Sequence, residues 1–211
     1  TEYHGNPQVN ITSITPAIED DVILEQLLPS APTSSETMFR QIRAFVAGIK
    51  DGNLNAICGY ILIENKDQLL SAPAAIRSHH ACLGGMLQHI LGMLSVADFV
   101  TQRYAGGVDR DLLIAGIVLH DIGKLRSYTF SPVGLAVGYT PRGAKLGHAA
   151  LGSEMVEEAA KNLQISEKSF LPLQSLVLHH HSRTDYRTIP NPTLESLLLH
   201  QIDMMDSSIE A

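Results

Sequence analysis

A histidine and an aspartate stand next to each other directly after a long apolar run. Residues 112–119 are entirely apolar, and His120 and Asp121 follow them without interruption. A helix formed by this run would carry an imidazole and a carboxylate to the end of a buried segment, where neither is stable without a partner. A divalent cation is the usual partner for such a pair. The pair therefore predicts a metal site.

Other metal-binding side chains stand on both sides of this pair, mostly next to apolar helical segments. A single histidine beside an apolar stripe more often belongs to the core or the surface, and a histidine run at a helix end also suits the helix dipole. Three consecutive histidines exceed what such a helix end needs, so we expect at least one of them to bind metal. The candidates are His89, His148, His179, His180, His181 and Asp203.

The mixture of nitrogen and oxygen donors suits transition metals better than Ca²⁺. We expect two divalent ions per site, with Mn²⁺ first and Fe²⁺, Ni²⁺, Co²⁺ or Zn²⁺ as alternatives. Two such ions lower the pKa of a shared water and neutralise charge at a phosphoryl group. Asp121 is expected to bridge the ions, and Lys124 to turn its ammonium back over the site and bind a phosphoryl oxygen. These residues predict metal-dependent hydrolysis of a phosphodiester.

Charge and cysteine usage limit the classes that the chain can belong to. The formal net charge of −7 gives no general attraction to nucleic acid, so a polyanionic substrate needs a local basic patch. The two cysteines, Cys58 and Cys82, form neither a disulfide framework nor a cysteine zinc site. No apolar run is long enough to cross a membrane. We therefore expect a cytoplasmic protein without a membrane partner.

The elements that must position these residues are predicted to be helices. Apolar residues recur at helical spacing from residue 33 onward, and Asp109 is suited to cap the helix that ends at His120. Gly123 is expected to end that helix, and Gly147 to permit a close backbone approach before His148. Further helices are predicted at residues 147–162, 168–181 and 193–209. The fold class is thus an all-α helical bundle.

Two extended segments accompany the helices. Residues 128–130 and 135–139 flank a turn that contains Pro132 and Gly134, which predicts a small β-hairpin beside the site. Near the N-terminus, Val9, Ile11 and Ile14 alternate with polar residues and predict a lone strand. A lone strand cannot bury its face. We therefore divide the chain into residues 1–32, the strand and linker from a missing β domain, and residues 33–211, the metal-dependent hydrolase domain.

The ligand pattern resembles a known superfamily. His89, His120-Asp121 and Asp203, with the DIGK segment at residues 121–124, resemble the HD superfamily of metal-dependent phosphohydrolases. The resemblance implies that His148 and His180 are the extra ligands of its two-metal members. A small residue usually precedes a His-His-Gly run in this family, whereas His179 and Ser182 occupy those flanking positions here. His181 therefore stays an alternative or an addition to His180.

More narrowly, several short segments resemble the bacterial 3′-to-5′ exoribonucleases of the YhaM type. These segments are PAA at 73–75, HHA at 79–81, GG at 84–85 and LLHQID at 198–203. Members carry an OB-fold domain before the HD domain, and residues 5–11 resemble its last strand. The resemblance implies hydrolysis of single-stranded RNA, with single-stranded DNA as a further substrate, from the 3′ end. A homo-oligomer would suit a processive nuclease.

A second set of residues is expected to contact substrate. For any single one, a solvated surface charge or a loop-ending histidine is the competing interpretation. The set is Arg77, His79, His80, Arg142 and His181.

Two other functions stay open at the sequence level. An HD phosphohydrolase of nucleotides or cyclic dinucleotides would use the same ligands, although no Gly-Tyr-Pro motif follows the histidine run. Residues 79–89 also resemble the HD-like relaxases that nick DNA, although Ser78 stands where those proteins usually carry a third histidine. A deep closed pocket would favour the nucleotide hypothesis, and an open basic groove would favour RNA.

Overall fold

The described residues form an all-α domain with one hairpin beside it, which confirms the predicted fold class. The computed structural model describes residues 2–3, 6–7, 11–16, 27–77, 80–104, 106–181 and 192–209. The helices are α1 Ser35–Ala47, α2 Gly52–Glu64, α3 Lys66–Ser71, α4 Gly85–Arg103, α5 Arg110–Leu119, α6 Lys124–Ser127, α7 Pro141–Asn162, α8 Glu167–His179 and α9 Leu194–Ile209. The strands are β1 Glu2–Tyr3, β2 Asn6–Pro7, β3 Tyr128–Phe130 and β4 Ala136–Tyr139.

Helix α5 runs through the centre of the core. Residues 112–119 are all buried, and helices α1, α2, α4, α8 and α9 all pack around α5. Gly116 allows the side chains of Leu176 and Leu199 to lie directly against the α5 backbone. As predicted, Asp109 caps this helix by accepting a hydrogen bond from the Leu112 amide at 3.0 Å. The burial of the apolar run therefore fixes the position of the C-terminal end of α5 and of His120, which follows it.

Asp111, in the first turn of α5, ties the loop between α1 and α2 to the core helix. Its carboxylate accepts hydrogen bonds from the backbone amides of Lys50 at 2.8 Å and Asp51 at 2.9 Å. We expect Asp111→Ala to lower the free energy of unfolding by about 1–2 kcal/mol, because both amides lose a charged acceptor. Urea unfolding measures this loss. Asp111→Asn keeps one acceptor oxygen and should lose less; equal losses would contradict the expectation.

The hairpin and a kinked helix lie on either side of residue 140. Strands β3 and β4 pair antiparallel with Tyr128 opposite Tyr139, which confirms the predicted hairpin. Helix α7 is kinked at Gly147, whose φ of 74° lies in the left-handed region that glycine adopts freely. The predicted close backbone approach at Gly147 is wrong, since no atom from elsewhere in the described part of the chain lies within 4 Å of where its Cβ would stand. The positive φ is what requires glycine before His148.

The N-terminal segment shows little regular structure in its described part. β1 pairs with β2, and residues 11–16, which include Ile11 and Ile14 of the predicted strand, carry no regular secondary structure. Val9 lies outside the described residues. Residues 29–31 pack on the helical domain through backbone hydrogen bonds to Leu83. The domain division at residue 32 stays a prediction. None of the described helices is both long and apolar enough to cross a bilayer.

Candidate metal centre

The predicted ligands come from different helices and meet at one place. His89 lies in α4, His148 in α7 and Asp203 in α9, whereas His120 and His180 directly follow the last residues of α5 and α8. Because other helices pack around α5, its C-terminal end is held in a fixed position relative to the ligands on those helices. Their nitrogen and oxygen atoms form two donor groups, one on each side of Asp121.

The first donor group is fully inside the protein. It consists of His89, His120 and Asp203. The Nε2 atom of His89 lies 3.3 Å from Oδ1 of Asp203 and 3.3 Å from Nε2 of His120. Both imidazoles have no exposed surface. Three donor atoms at this spacing suit one cation.

The second donor group lies nearer the surface. It consists of His148, His180 and His181, together with Asp121. The Nε2 atom of His148 lies 3.3 Å from that of His180 and 2.9 Å from that of His181. His180 is buried and His181 is exposed, so this group is open to solvent on one side.

The Asp121 carboxylate lies between the two groups and turns one oxygen towards each. Oδ2 is 3.4 Å from Nε2 of His120, and Oδ1 is 3.3 Å from Nε2 of His148. Among the residues that the structure describes, Oδ1 has no hydrogen-bond partner although it is buried. A buried carboxylate oxygen without a partner is costly. A shared position between two cations would satisfy it.

Two of the histidines are oriented by the ends of their own helices. Nδ1 of His120 donates to the carbonyl oxygen of Ile117 at 2.8 Å, and Nδ1 of His180 donates to that of Val177 at 2.7 Å. A carbonyl oxygen only accepts, so Nδ1 carries the hydrogen in both rings. The lone pair of each Nε2 therefore faces the centre, which is the form that binds metal.

His89 is oriented in the same way by a carboxylate. Its Nδ1 donates to Oδ2 of Asp206 at 2.6 Å, so Nε2 is the nitrogen that faces His120 and Asp203 and can bind a cation in place of its proton. Asp206 also accepts a hydrogen bond from Nε2 of His80 at 3.1 Å. Asp206 is not among the residues predicted from the sequence. Its spacing from Asp203 places both on one face of α9, but that spacing does not say whether this face meets His89.

The residues fit divalent cations on their chemistry. Lone pairs of neighbouring imidazoles repel each other at 3.3 Å unless a proton or a cation lies between them. Burial alone would raise the pKa of Asp121, but the charges of Lys124 and His120 outweigh it and hold this pKa well below its usual range. Asp121 is therefore ionised, and the centre combines two carboxylates with imidazole nitrogen donors.

The histidines differ in their protonation. Burial lowers the pKa of His180 well below its usual range, and burial followed by the charge of His148 lowers that of His181 to about 4. Both rings are thus neutral near pH 7 and offer lone pairs. Burial also favours the neutral form of His89, but hydrogen bonds to Asp203 and Asp206 raise its pKa to about 9. In the absence of a cation, the proton on His89 supplies part of the positive charge that the neighbouring carboxylates require.

The model of the HD domain family matches residues 86–208, well over half of the chain. The chain belongs to the HD domain family. Membership implies divalent metal ions, and both donor groups lie within the matched residues. The side chains of this HD domain that could hold metal lie at the C-terminal ends of α5 and α8 and on α4, α7 and α9.

Several curated relatives of this HD protein share one name. It is 32% identical over 210 residues to a protein named 3′-5′ exoribonuclease YhaM from Shouchella clausii. Proteins of the same name from Bacillus subtilis and Listeria welshimeri are 31% and 35% identical. The alignments cover 98–99% of this chain, which spans 65–66% of the length of these relatives. No solved structure matches the chain significantly.

Lys124 lies beside the shared carboxylate of the HD domain. Its Nζ is 2.6 Å from Oδ2 of Asp121, and the residue is buried. The prediction that Gly123 ends α5 is wrong. The helix already ends at Leu119, and Gly123 has a helical φ of −64°. Glycine is required there because the α7 backbone passes directly over it.

The residues expected to contact substrate are spread over different places. His80 is buried against Asp206 and thus cannot face a groove, and Arg142 is paired with Glu154. His181 belongs to the second donor group. His79 lies outside the described residues. His179, which was a candidate metal ligand, belongs to neither donor group. Its Nδ1 donates to the Ser175 carbonyl oxygen at 3.0 Å.

Arg77, another residue of this set, lines a cavity. The cavity has a volume of about 510 Å³ and lies between the loop after Pro73 and the hairpin. Its walls are Ala75, Ile76, Arg77, Tyr128, Val137, Gly138 and Tyr139.

Proposed function

We propose that this chain is a metal-dependent phosphodiester hydrolase that degrades single-stranded RNA from the 3′ end. The observation that carries the proposal is the Asp121 carboxylate, whose two oxygens face two separate donor groups. Relatives named 3′-5′ exoribonuclease that align with nearly the whole chain support the choice of substrate and direction.

In this proposal the two donor groups hold two ions, Mn²⁺ being our first choice. His89, His120 and Asp203 would hold one ion, the second donor group the other, and Asp121 would be shared. Ions bound there would activate water as the nucleophile and neutralise charge on the scissile phosphate. Lys124 fixes the Asp121 carboxylate by a short ion pair and adds a positive charge where phosphate charge develops.

The substrate and direction are tested with two RNAs of the same sequence. With Mn²⁺ present, a linear single-stranded RNA labelled at its 5′ end should shorten progressively from the 3′ end. A circular form, which has no end, should stay intact. Cutting of the circle would overturn the exonuclease direction. Two intact RNAs would overturn RNA as the substrate.

A phosphohydrolase of nucleotides is the second candidate function. The cavity of about 510 Å³ favours it, since small-molecule sites commonly have this size. Release of inorganic phosphate from nucleoside phosphates, together with intact linear RNA, would support this alternative. The expected homo-oligomer stays a prediction.

Asp206 should control metal affinity without binding metal itself. We expect Asp206→Asn to weaken Mn²⁺ binding by about 10- to 100-fold, because His89 loses the carboxylate that fixes its tautomer and ring orientation. Titration calorimetry of the metal-free protein with Mn²⁺ measures this change. Asp67→Asn on the exposed face of α3 is the control. Equal affinity of the two variants would contradict this role.

A further inference from the structure

Two tyrosines give the cavity beside the hairpin an aromatic wall. Tyr128 and Tyr139 are cross-strand partners, with ring centroids 5.3 Å apart at an interplanar angle of 72°. Tyr128 is buried, whereas Tyr139 is 58% exposed and its neighbour on the same face, Val137, is 62% exposed. An exposed aromatic ring supported from below by a second ring is a suitable surface for stacking a nucleobase.

Arg77 gives the same cavity a positive charge. It is exposed, and no carboxylate in the described part of the chain lies within ion-pair distance of it. Two other arginines near the site differ in this respect, because Arg126 pairs with Glu158 and Arg142 with Glu154. A guanidinium that none of the described carboxylates neutralises suits a phosphate group.

Both walls of the cavity are linked, through the backbone or through hydrogen bonds, to residues beside the metal centre. Tyr128 directly follows α6, the helix that begins with Lys124. On the other side, the amide of Ala74 donates to the carbonyl oxygen of His80, whose ring contacts Asp206. Burial and then the negative charge of Asp121 raise the pKa of Tyr128, a wall residue of the cavity.

We propose that this cavity binds the 3′-terminal nucleoside of the substrate, with Tyr139 stacking on the base and Arg77 binding a phosphate. The inference rests on the proposed function for the identity of the polymer, but the nucleoside site is defined by the cavity itself. Stacking uses the face that every base presents, so the site accepts all four bases. It holds the terminal residue while the scissile phosphate reaches the donor groups.

Binding of a fluorescent nucleotide tests the site without catalysis. The probe is 2-aminopurine riboside 5′-monophosphate, titrated into the full chain with Mn²⁺ present. Wild type should quench its fluorescence, because the base stacks on an aromatic ring. We expect Tyr139→Ala to weaken binding by about 5- to 100-fold, and Arg77→Gln to weaken it as well. Tyr104→Ala, an exposed tyrosine after α4, is the matched control and should bind as wild type does.

A second measurement separates this inference from the function on which it rests. RNA ending in a normal nucleotide is compared with RNA ending in an abasic residue. Wild type should hydrolyse the normal end faster, and Tyr139→Ala should lose most of that preference. An unchanged preference, or equal quenching by Tyr139→Ala and wild type, overturns the nucleoside site while RNA hydrolysis stands. Tyrosine-dependent quenching without RNA hydrolysis supports the site and overturns only the RNA function.

Discussion

Asp121→Asn is expected to lower the rate of RNA hydrolysis by at least about a thousandfold, because one carboxylate serves both donor groups. An asparagine keeps the shape of the side chain but loses the negative charge and replaces one oxygen by an NH2 group, which cannot bind a cation. We also expect the variant to lose the Mn²⁺-induced rise in melting temperature, since a ligand stabilises a protein only by binding its native state. Both readouts are measured on the same preparation.

The same change also removes the partner of a buried ammonium. Lys124 lies 2.6 Å from the carboxylate, and breaking such a buried pair costs about 3–5 kcal/mol. A loss of activity in Asp121→Asn alone therefore mixes chemistry with folding. The double variant Asp121→Asn with Lys124→Met removes both charges and should recover much of the stability but none of the activity. Hydrolysis by the folded double variant within tenfold of wild type would contradict the proposed centre.

Gly123→Ala is expected to lower the free energy of unfolding by about 3 kcal/mol or more. A Cβ atom on Gly123 would overlap the carbonyl oxygen of His148 and the amide nitrogen of Gly152. Both are backbone atoms of α7 and cannot rotate away as a side chain does. The turn after Asp121 and helix α7 must therefore separate, which moves His148 away from the shared carboxylate. Guanidinium unfolding measures the stability, and Mn²⁺ titration measures the centre.

A glycine elsewhere provides the matched control. Gly59 lies inside helix α2 with no atom within 4 Å of its Cβ position. Gly59→Ala should therefore raise stability by about 0.5–1 kcal/mol, through the better helix propensity of alanine. A Gly123→Ala protein as stable as wild type would show that α7 does not depend on this close approach.

Local patterns in the sequence predicted most of the elements and pointed to candidate ligands that lie together in the structure. The apolar run before His120, the cap at Asp109 and the turn residues of the hairpin act over a few neighbours, and each predicted its element correctly. The candidate ligands lie together because each stands at the end of a buried helix or on its buried face. Helix α3 was not predicted, because it is too short to show a clear apolar period.

Contacts between helices could not be predicted from the sequence. Whether Asp206 faces His89 or solvent depends on the rotation of α9 against α4, which no local pattern reports. The same holds for Arg142, whose pairing with Glu154 depends on the kink of α7 at Gly147. That Tyr128 and Tyr139 line a cavity depends on the register of the hairpin and on the loop opposite it, which the local sequence does not report.

The attachment of His120 and His180 to the ends of their helices restricts how related chains can change in length. Each residue inserted into α5 would rotate the following residue by about 100° around the helix axis. Since Asp109 fixes the start of the ten residues of α5, such an insertion would turn His120 away from His89. Homologous chains should therefore differ in length in the turn of the hairpin and in the loops between helices. We expect none of those length changes between Asp109 and Asp121.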